Sequence, residues 1–327
     1  MKLATLKNQT PDGRLVLVSR DLTKAVDVSH IAPTMQQAIE RWQDVEPALR
    51  ELEQAINVNT LDGVFEFDTT QAAAPLPRAW QWLDGSLFLS HGDLMQQAFN
   101  HAPIKDADII PLIYQGAGDD FRGPNDDIVL PAEEHGIDFE GEFAVIVDEV
   151  PMGTPADRAL EHVRLITMVN DVSLRTMAPR EMQTGFGFVQ AKPSTSFAAV
   201  AITPDELGDA WRDGRVHLPL HVSWNGEWFG HPNGGAMHFG FHELIAHAAL
   251  TRRLSAGTVL GSGTVSNSDR SVGSACISER RAIDVIQYGE IRTGFMKFGD
   301  QVRISASLPD GSEPFGAIDQ KIAVCTK

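Results

Sequence analysis

The chain has 327 residues, 43% of them hydrophobic, with 27 Lys+Arg against 44 Asp+Glu and a formal net charge of −17. A chain of this length buries a sizeable core, as one large domain or two. The acidic balance, with a pI near 5.0, argues against nucleic acid or an anionic membrane as partner and leaves a small anionic substrate open. The two cysteines, Cys276 and Cys325, imply a reducing compartment without a disulfide framework. No apolar h-region follows Met1-Lys2 and no apolar run is long enough to span a bilayer, so the expected location is cytoplasmic.

In chain order, residues 2–7 and 14–29 read as short strands around the turn Thr10-Pro-Asp-Gly13. Residues 34–56 read as one amphipathic helix, with Met35, Ala38, Ile39, Trp42, Val45 and Leu49 on helical spacing and Thr34 as cap. Ala72-Ala-Ala-Pro-Leu-Pro77 reads as a linker between a small N-terminal α/β domain, residues 1–75, and a larger domain, residues 76–327. There, short apolar runs broken by Gly, Pro, Asn and Asp predict a mainly β domain with few helices. One helix falls near 155–163, with Thr154 as cap and Pro155 at its first position, and another near 241–250. In 81–100 the pattern gives a turn at Asp84-Gly85, a short strand and a helix from Gly92.

The chemistry concentrates in three segments. Glu140 and Glu142 lie in the apolar run Ile137–Val147, and residues i and i+2 of a strand share a face. Two carboxylates side by side in a buried strand call for a compensating cation, and a hard divalent metal prefers oxygen ligands. A second apolar strand, 166–175, ends in Asn170, Asp171, Ser173 and Arg175. Asp171 adds a third carboxylate, and Arg175 a cation able to hold an anionic substrate. The Gly/Phe-rich segment 185–196 then brings Lys192.

These motifs resemble the fumarylacetoacetate hydrolase family: Glu-x-Glu in a strand, Asn170-Asp-x-Ser-x-Arg175, Gly-Phe…Lys192, and late turns at Gly261-Ser-Gly-Thr264 and Gly273-Ser274. The resemblance runs from about Leu83 to the C-terminus. It implies a mixed, mainly β sandwich-like roll, a homodimer, and a divalent metal (Mg²⁺, Mn²⁺ or Ca²⁺) held by Asp84, Glu140, Glu142 and Asp171. It makes His91, seven residues after Asp84, the general base, Lys192 the oxyanion partner, and Arg175, Tyr114 and Thr264 substrate contacts. The glutamate that should orient the histidine lies in a strand after Gly273-Ser274. Ile277 stands at its place, and Glu279, two residues on, keeps the same strand face. Ala178 stands where the best-known members carry Gln. The implied reaction is metal-dependent hydrolysis of a carbon–carbon bond in a diketo acid from aromatic-compound breakdown, tyrosine catabolism included. The alternatives are decarboxylation, hydration or isomerisation of an oxo-diacid, or a non-catalytic binding relative.

Two other patterns fail. His242 and His247 in Phe241-His-Glu-Leu-Ile-Ala-His247 are five apart, about 140° around a helix, and cannot share a zinc ion. Gly261-Ser-Gly-Thr264 lacks the Lys-Ser/Thr pair of a phosphate loop.

Overall fold

A computed structural model describes residues 1–99 and 102–326. Its frame is an eleven-stranded sheet. From one edge the strands are Phe65–Glu66, Lys24–Asp27, Arg14–Val18, Lys2–Leu6, Val200–Ile202, Val163–Asn170, Gly141–Val147, Thr258–Gly261, Trp82–Ser86 and Leu112–Gly116. Ser196–Phe197 pairs with Val163–Asn170 off this path. Thr258–Gly261 and Trp82–Ser86 run parallel, with Gly261 opposite Asp84, among antiparallel neighbours. Lys2 pairs with Ile202, so the strands before the Ala72–Pro77 segment and those after it form one sheet.

Period-2 alternation gives this sheet two apolar faces. Leu3, Leu15, Leu17, Ala144, Ile146, Leu165, Val169 and Val259 point to one face and pack against Met35, Ala38, Ile39, Trp42, Val45 and Leu49. Phe143, Val145, Ile166, Met168 and Leu260 point to the other. They meet a five-stranded sheet whose strands are Glu227–Gly230, Leu220–Trp224, Gln301–Ala306, Ile318–Val324 and Ile128–Leu130. The mainly β architecture is therefore helix layer on sheet on sheet.

Several local expectations are corrected. The helix over 34–56 is two helices, Met35–Glu40 and Trp42–Asn57, separated by Arg41 at φ −122°, ψ 30°. The apolar spacing continues across the break, so periodicity gives no sign of it. Thr34 does cap, accepting from the Gln37 N–H at 3.3 Å. The helix expected over 155–163 shrinks to Ala156–Ala159 and a 3₁₀ turn, because Val163 already opens a central strand. Pro155 is its cap, while the Thr154 hydroxyl turns back to the Pro151 carbonyl at 2.8 Å. Asp84-Gly85 lies inside a strand, and the helix after it starts at Leu89. Glu279 is helical, in Ile277–Tyr288. Cys276 and Asp138 satisfy that helix's first N–H groups, and Gly289 ends it at φ 75°.

Phe143 anchors the interior. It is fully buried in a central strand, with its ring 6.1 Å from that of Phe315. Phe143→Ala should cost about 3–5 kcal/mol, as cavities at buried Phe do. Urea unfolding checks this, and a loss under about 1 kcal/mol would mean that the two sheets do not pack across this ring.

Candidate active site

The carboxylates continue the apolar stripes of the helix-covered face. Trp82, Ala144 and Val169 belong to that core; Asp84 and Glu142 each lie two residues along from Trp82 and Ala144 on the same strand face, and Asp171 follows directly on the end of Val163–Asn170. Three strands thus deliver three acids to one place. Their oxygens lie within 4.8 Å of one another, and all three residues are buried.

Their partners differ. Asp171 is saturated: Thr195 Oγ1 donates to one oxygen at 2.7 Å, and Tyr114 Oη and Lys192 Nζ to the other, each at 2.5 Å. Asp84 accepts from the Gly263 N–H at 3.1 Å. Glu142 has no hydrogen-bond partner on either oxygen among the described residues. Burial, then the charge of Asp171, pushes the Asp84 carboxyl up to about 8. Burial, then the charge of Asp84, pushes Glu142 well above the usual carboxylate range. An all-oxygen, buried, under-compensated donor set fits a hard divalent cation, and Asp84, Glu142 and Asp171 are the residues that would hold it.

Glu140, expected as a fourth ligand, is not part of this triad. Lys192 Nζ donates to it at 2.6 Å, and Arg175 Nη2 takes its other oxygen. Burial raises Glu140, but Arg175 and Lys192 outweigh it and hold the carboxyl down at about 2. Burial likewise lowers Lys192, but Asp171 and Glu140 outweigh it and keep the ammonium well above its ordinary value. Arg175 is spoken for twice, since its Nε also donates to Asp138 at 2.8 Å.

The turn after Thr258–Gly261 shapes the Asp84 side. A Cβ at Gly261 would collide with Asp84 Oδ1 and the Trp82 ring. Gly263 sits at φ +72°, with the Gly85 carbonyl where a Cβ would go. Thr264 follows, nearly buried at 6% exposure.

On the other flank His91 Nδ1 lies 3.1 Å from Glu279 Oε1. The two residues come from helices Leu89–Phe99 and Ile277–Tyr288, packed through Leu94, Ala282 and Ile283. Ser90 hydrogen-bonds Ser266 at 2.8 Å, and Arg270 donates to the Ser90 carbonyl at 2.9 Å, fixing the first turn under His91. Asp138 joins the two halves: its oxygens accept the Ile277 and Ser278 N–H groups at 2.7 and 2.9 Å while Arg175 holds it against Glu140. Sequence reasoning passed over Asp138 and Thr195. Asp138 was findable, because Asp138-Phe-Glu140-Gly-Glu142 carries a third acid at the same period of two.

A mixed two-sheet fold with a buried carboxylate triad beside a histidine–glutamate pair defines the class. The model of the fumarylacetoacetate (FAA) hydrolase C-terminal domain matches residues 81–323, and that of fumarylacetoacetase N-terminal domain 2 matches residues 1–78. The chain belongs to the fumarylacetoacetate hydrolase family. It is 31% identical over 157 residues to 2,4-didehydro-3-deoxy-L-rhamnonate hydrolase of Sphingomonas sp. (strain SKA58), covering 47% of this chain and 52% of that protein. It is 27% identical to human mitochondrial oxaloacetate tautomerase FAHD2A over 157 residues, 47% of this chain and 48% of that one. Each match therefore spans about half of the relative's length. Maleylpyruvate hydrolase from Sphingobium sp. SYK-6, solved with manganese(II) and pyruvate, has the same fold: TM-score 0.67, 17% identity, 100% of both chains. Among the described residues no helix is long and apolar enough to cross a membrane.

The raised carboxyls set a pH dependence. The folded, metal-free protein keeps protons on Asp84 and Glu142 that the unfolded chain releases near pH 4, roughly their ordinary range. Their contribution to stability is present below that range and is lost as pH rises, for Asp84 through about 8. In EDTA the urea midpoint should fall between about pH 5 and about pH 8, and Glu142→Gln should flatten the fall. Mg²⁺ or Mn²⁺ should raise the wild-type midpoint and leave that of Glu142→Gln unmoved. Equal stabilisation of the variant would remove Glu142 from the metal site.

Proposed function

We propose that this protein hydrolyses a carbon–carbon bond in a diketo acid with the help of a divalent metal ion. The observation that carries the reading is the His91–Glu279 pair beside the carboxylate triad. A metal held by Asp84, Glu142 and Asp171 would supply Lewis-acid polarisation of the substrate's oxo group. The remaining work falls to side chains. Glu279 accepts the Nδ1 proton of His91 across 3.1 Å. That fixes the tautomer in which Nε2 is free to take a proton from water. Lys192, 10% exposed, offers its ammonium to oxyanion charge that develops at the attacked carbon. Tyr114 and Thr195 hold Asp171 in place, and the Tyr114 ring meets Phe188 edge-on at 5.1 Å. Arg175 is expected to position Glu140 and Asp138, and its contact with substrate is secondary. The curated relative named a hydrolase supports this reading.

A second reading is isomerisation or tautomerisation of an oxo acid. It draws support from the tautomerase relative and from a triad and Lys192 that are assembled without His91. We further propose a homodimer acting on a small oxo acid.

His91→Ala separates the two readings. Carbon–carbon cleavage should fall about 10²–10⁴-fold while metal binding survives, and tautomerisation of the same oxo acid should fall far less. Undiminished cleavage would remove His91 from the role of base, and tautomerisation by wild type without any cleavage would favour the second reading. Lys192→Met should lower kcat by about 10²–10³ with little change in KM, since its charge acts on the transition state. An unchanged kcat would assign Lys192 to structure.

A further inference from the structure

Beside the oxygen-lined triad lies a cluster of different chemistry. His91, Cys276 and Glu279 present a ring nitrogen, a sulfur and a carboxylate oxygen, all within 4.8 Å of one another. Cys276 and Glu279 are buried, while the His91 side chain is 21% exposed, so the cluster has an open side. The donors are preset. Cys276 caps the Ile277–Tyr288 helix, with its Sγ 3.4 Å from the Glu279 N–H. Asp138 pins the same turn through Ile277 and Ser278. The packing of Leu94 on Ala282 and Ile283 fixes the spacing to the helix that carries His91.

The surroundings suit a cation bonded to sulfur. Burial, then the charges of Asp138 and Glu279, pushes the Cys276 thiol well above its ordinary value. The same negative field that opposes a bare thiolate favours one neutralised by a metal. A mixed nitrogen, sulfur and oxygen set selects Zn²⁺ or Cd²⁺, whereas Mg²⁺ prefers oxygen alone.

We propose that His91, Cys276 and Glu279 form a second metal site, selective for thiophilic divalent ions such as Zn²⁺. On binding, the Cys276 S–H bond is replaced by a metal–sulfur bond and the proton leaves to solvent. The thiolate and the Glu279 carboxylate balance the charge of the ion. His91 becomes a ligand through Nδ1 and carries its proton on Nε2. That nitrogen can then no longer accept a proton from water, so occupancy stops turnover. The inhibition rests on His91 being the base; the metal binding does not.

The test separates the two. Cd²⁺ is titrated into the Cys325→Ser protein, with Mg²⁺ in excess to fill the carboxylate site, and the ultraviolet thiolate-to-cadmium absorption is followed. One equivalent should produce the band, Zn²⁺ should displace it, and Mg²⁺ should not. Cys276→Ser in the same background, which keeps an acceptor for the Glu279 N–H, should lose the band. His91→Ala should weaken Cd²⁺ by at least about tenfold, the loss seen even when an outer partner of a ligand is removed. No band in Cys325→Ser, or undiminished affinity in His91→Ala, overturns the site. In turnover assays with excess Mg²⁺, Zn²⁺ should inhibit wild type and spare Cys276→Ser. Equal inhibition of both overturns the inhibitory role. A Cd²⁺ band without inhibition keeps the metal site and overturns His91 as base.

Discussion

Charge crowding in a dry interior is the constraint on which the rest of this molecule depends. Asp84, Asp138, Glu140, Glu142 and Asp171 are all buried, against the two cations Arg175 and Lys192. Isolated buried charges are far too costly to persist, so every one must find a partner, a proton or an ion. The partition is uneven. Arg175 and Lys192 serve Asp138, Glu140 and one oxygen of Asp171. Asp84 and Glu142 are left with raised values and, for Glu142, no partner among the described residues. The uncompensated half is the half suited to a metal.

The same charges connect parts of the site that lie far apart in sequence. From the start of the Ile277–Tyr288 helix, contacts run through Asp138, Arg175, Glu140 and Lys192 to Asp171 and Tyr114. The helix that carries Glu279 is thereby joined to Asp171 through side chains rather than through the sheet. Each link is a charge-assisted hydrogen bond in a low-dielectric setting, where such bonds are strongest and their loss most expensive.

Much of this was legible in the sequence. Strand periodicity placed Glu140 and Glu142 on one face, and separate motifs in the right order carried the family resemblance. What failed did so for identifiable reasons. Period-2 reasoning carried Glu279 into a strand, although Cys276, Glu279 and Gly289 stand at a helix cap, the third helical position and the helix stop. Asp84-Gly85 looked like a turn because the pairing that straightens it comes from Gly261 and Tyr114, remote in sequence. The i, i+2 rule says which face Glu140 occupies but not that Arg175 and Lys192 would claim it. Such competition among partners is three-dimensional, and a period of two does not encode it.

The pairing of Lys2–Leu6 with Val200–Ile202 has a consequence for what can be cut apart. A break at the Ala72–Pro77 segment looks harmless by composition, yet it would strip the central sheet of four consecutive strands. The remainder would present Val200–Ile202 as a raw edge, with open backbone donors and acceptors and an apolar flank including Leu165, Ala201 and Val169 robbed of its helical cover. Edges of that kind recruit other chains. The first quarter of this protein thus covers a sheet edge as well as filling part of the core.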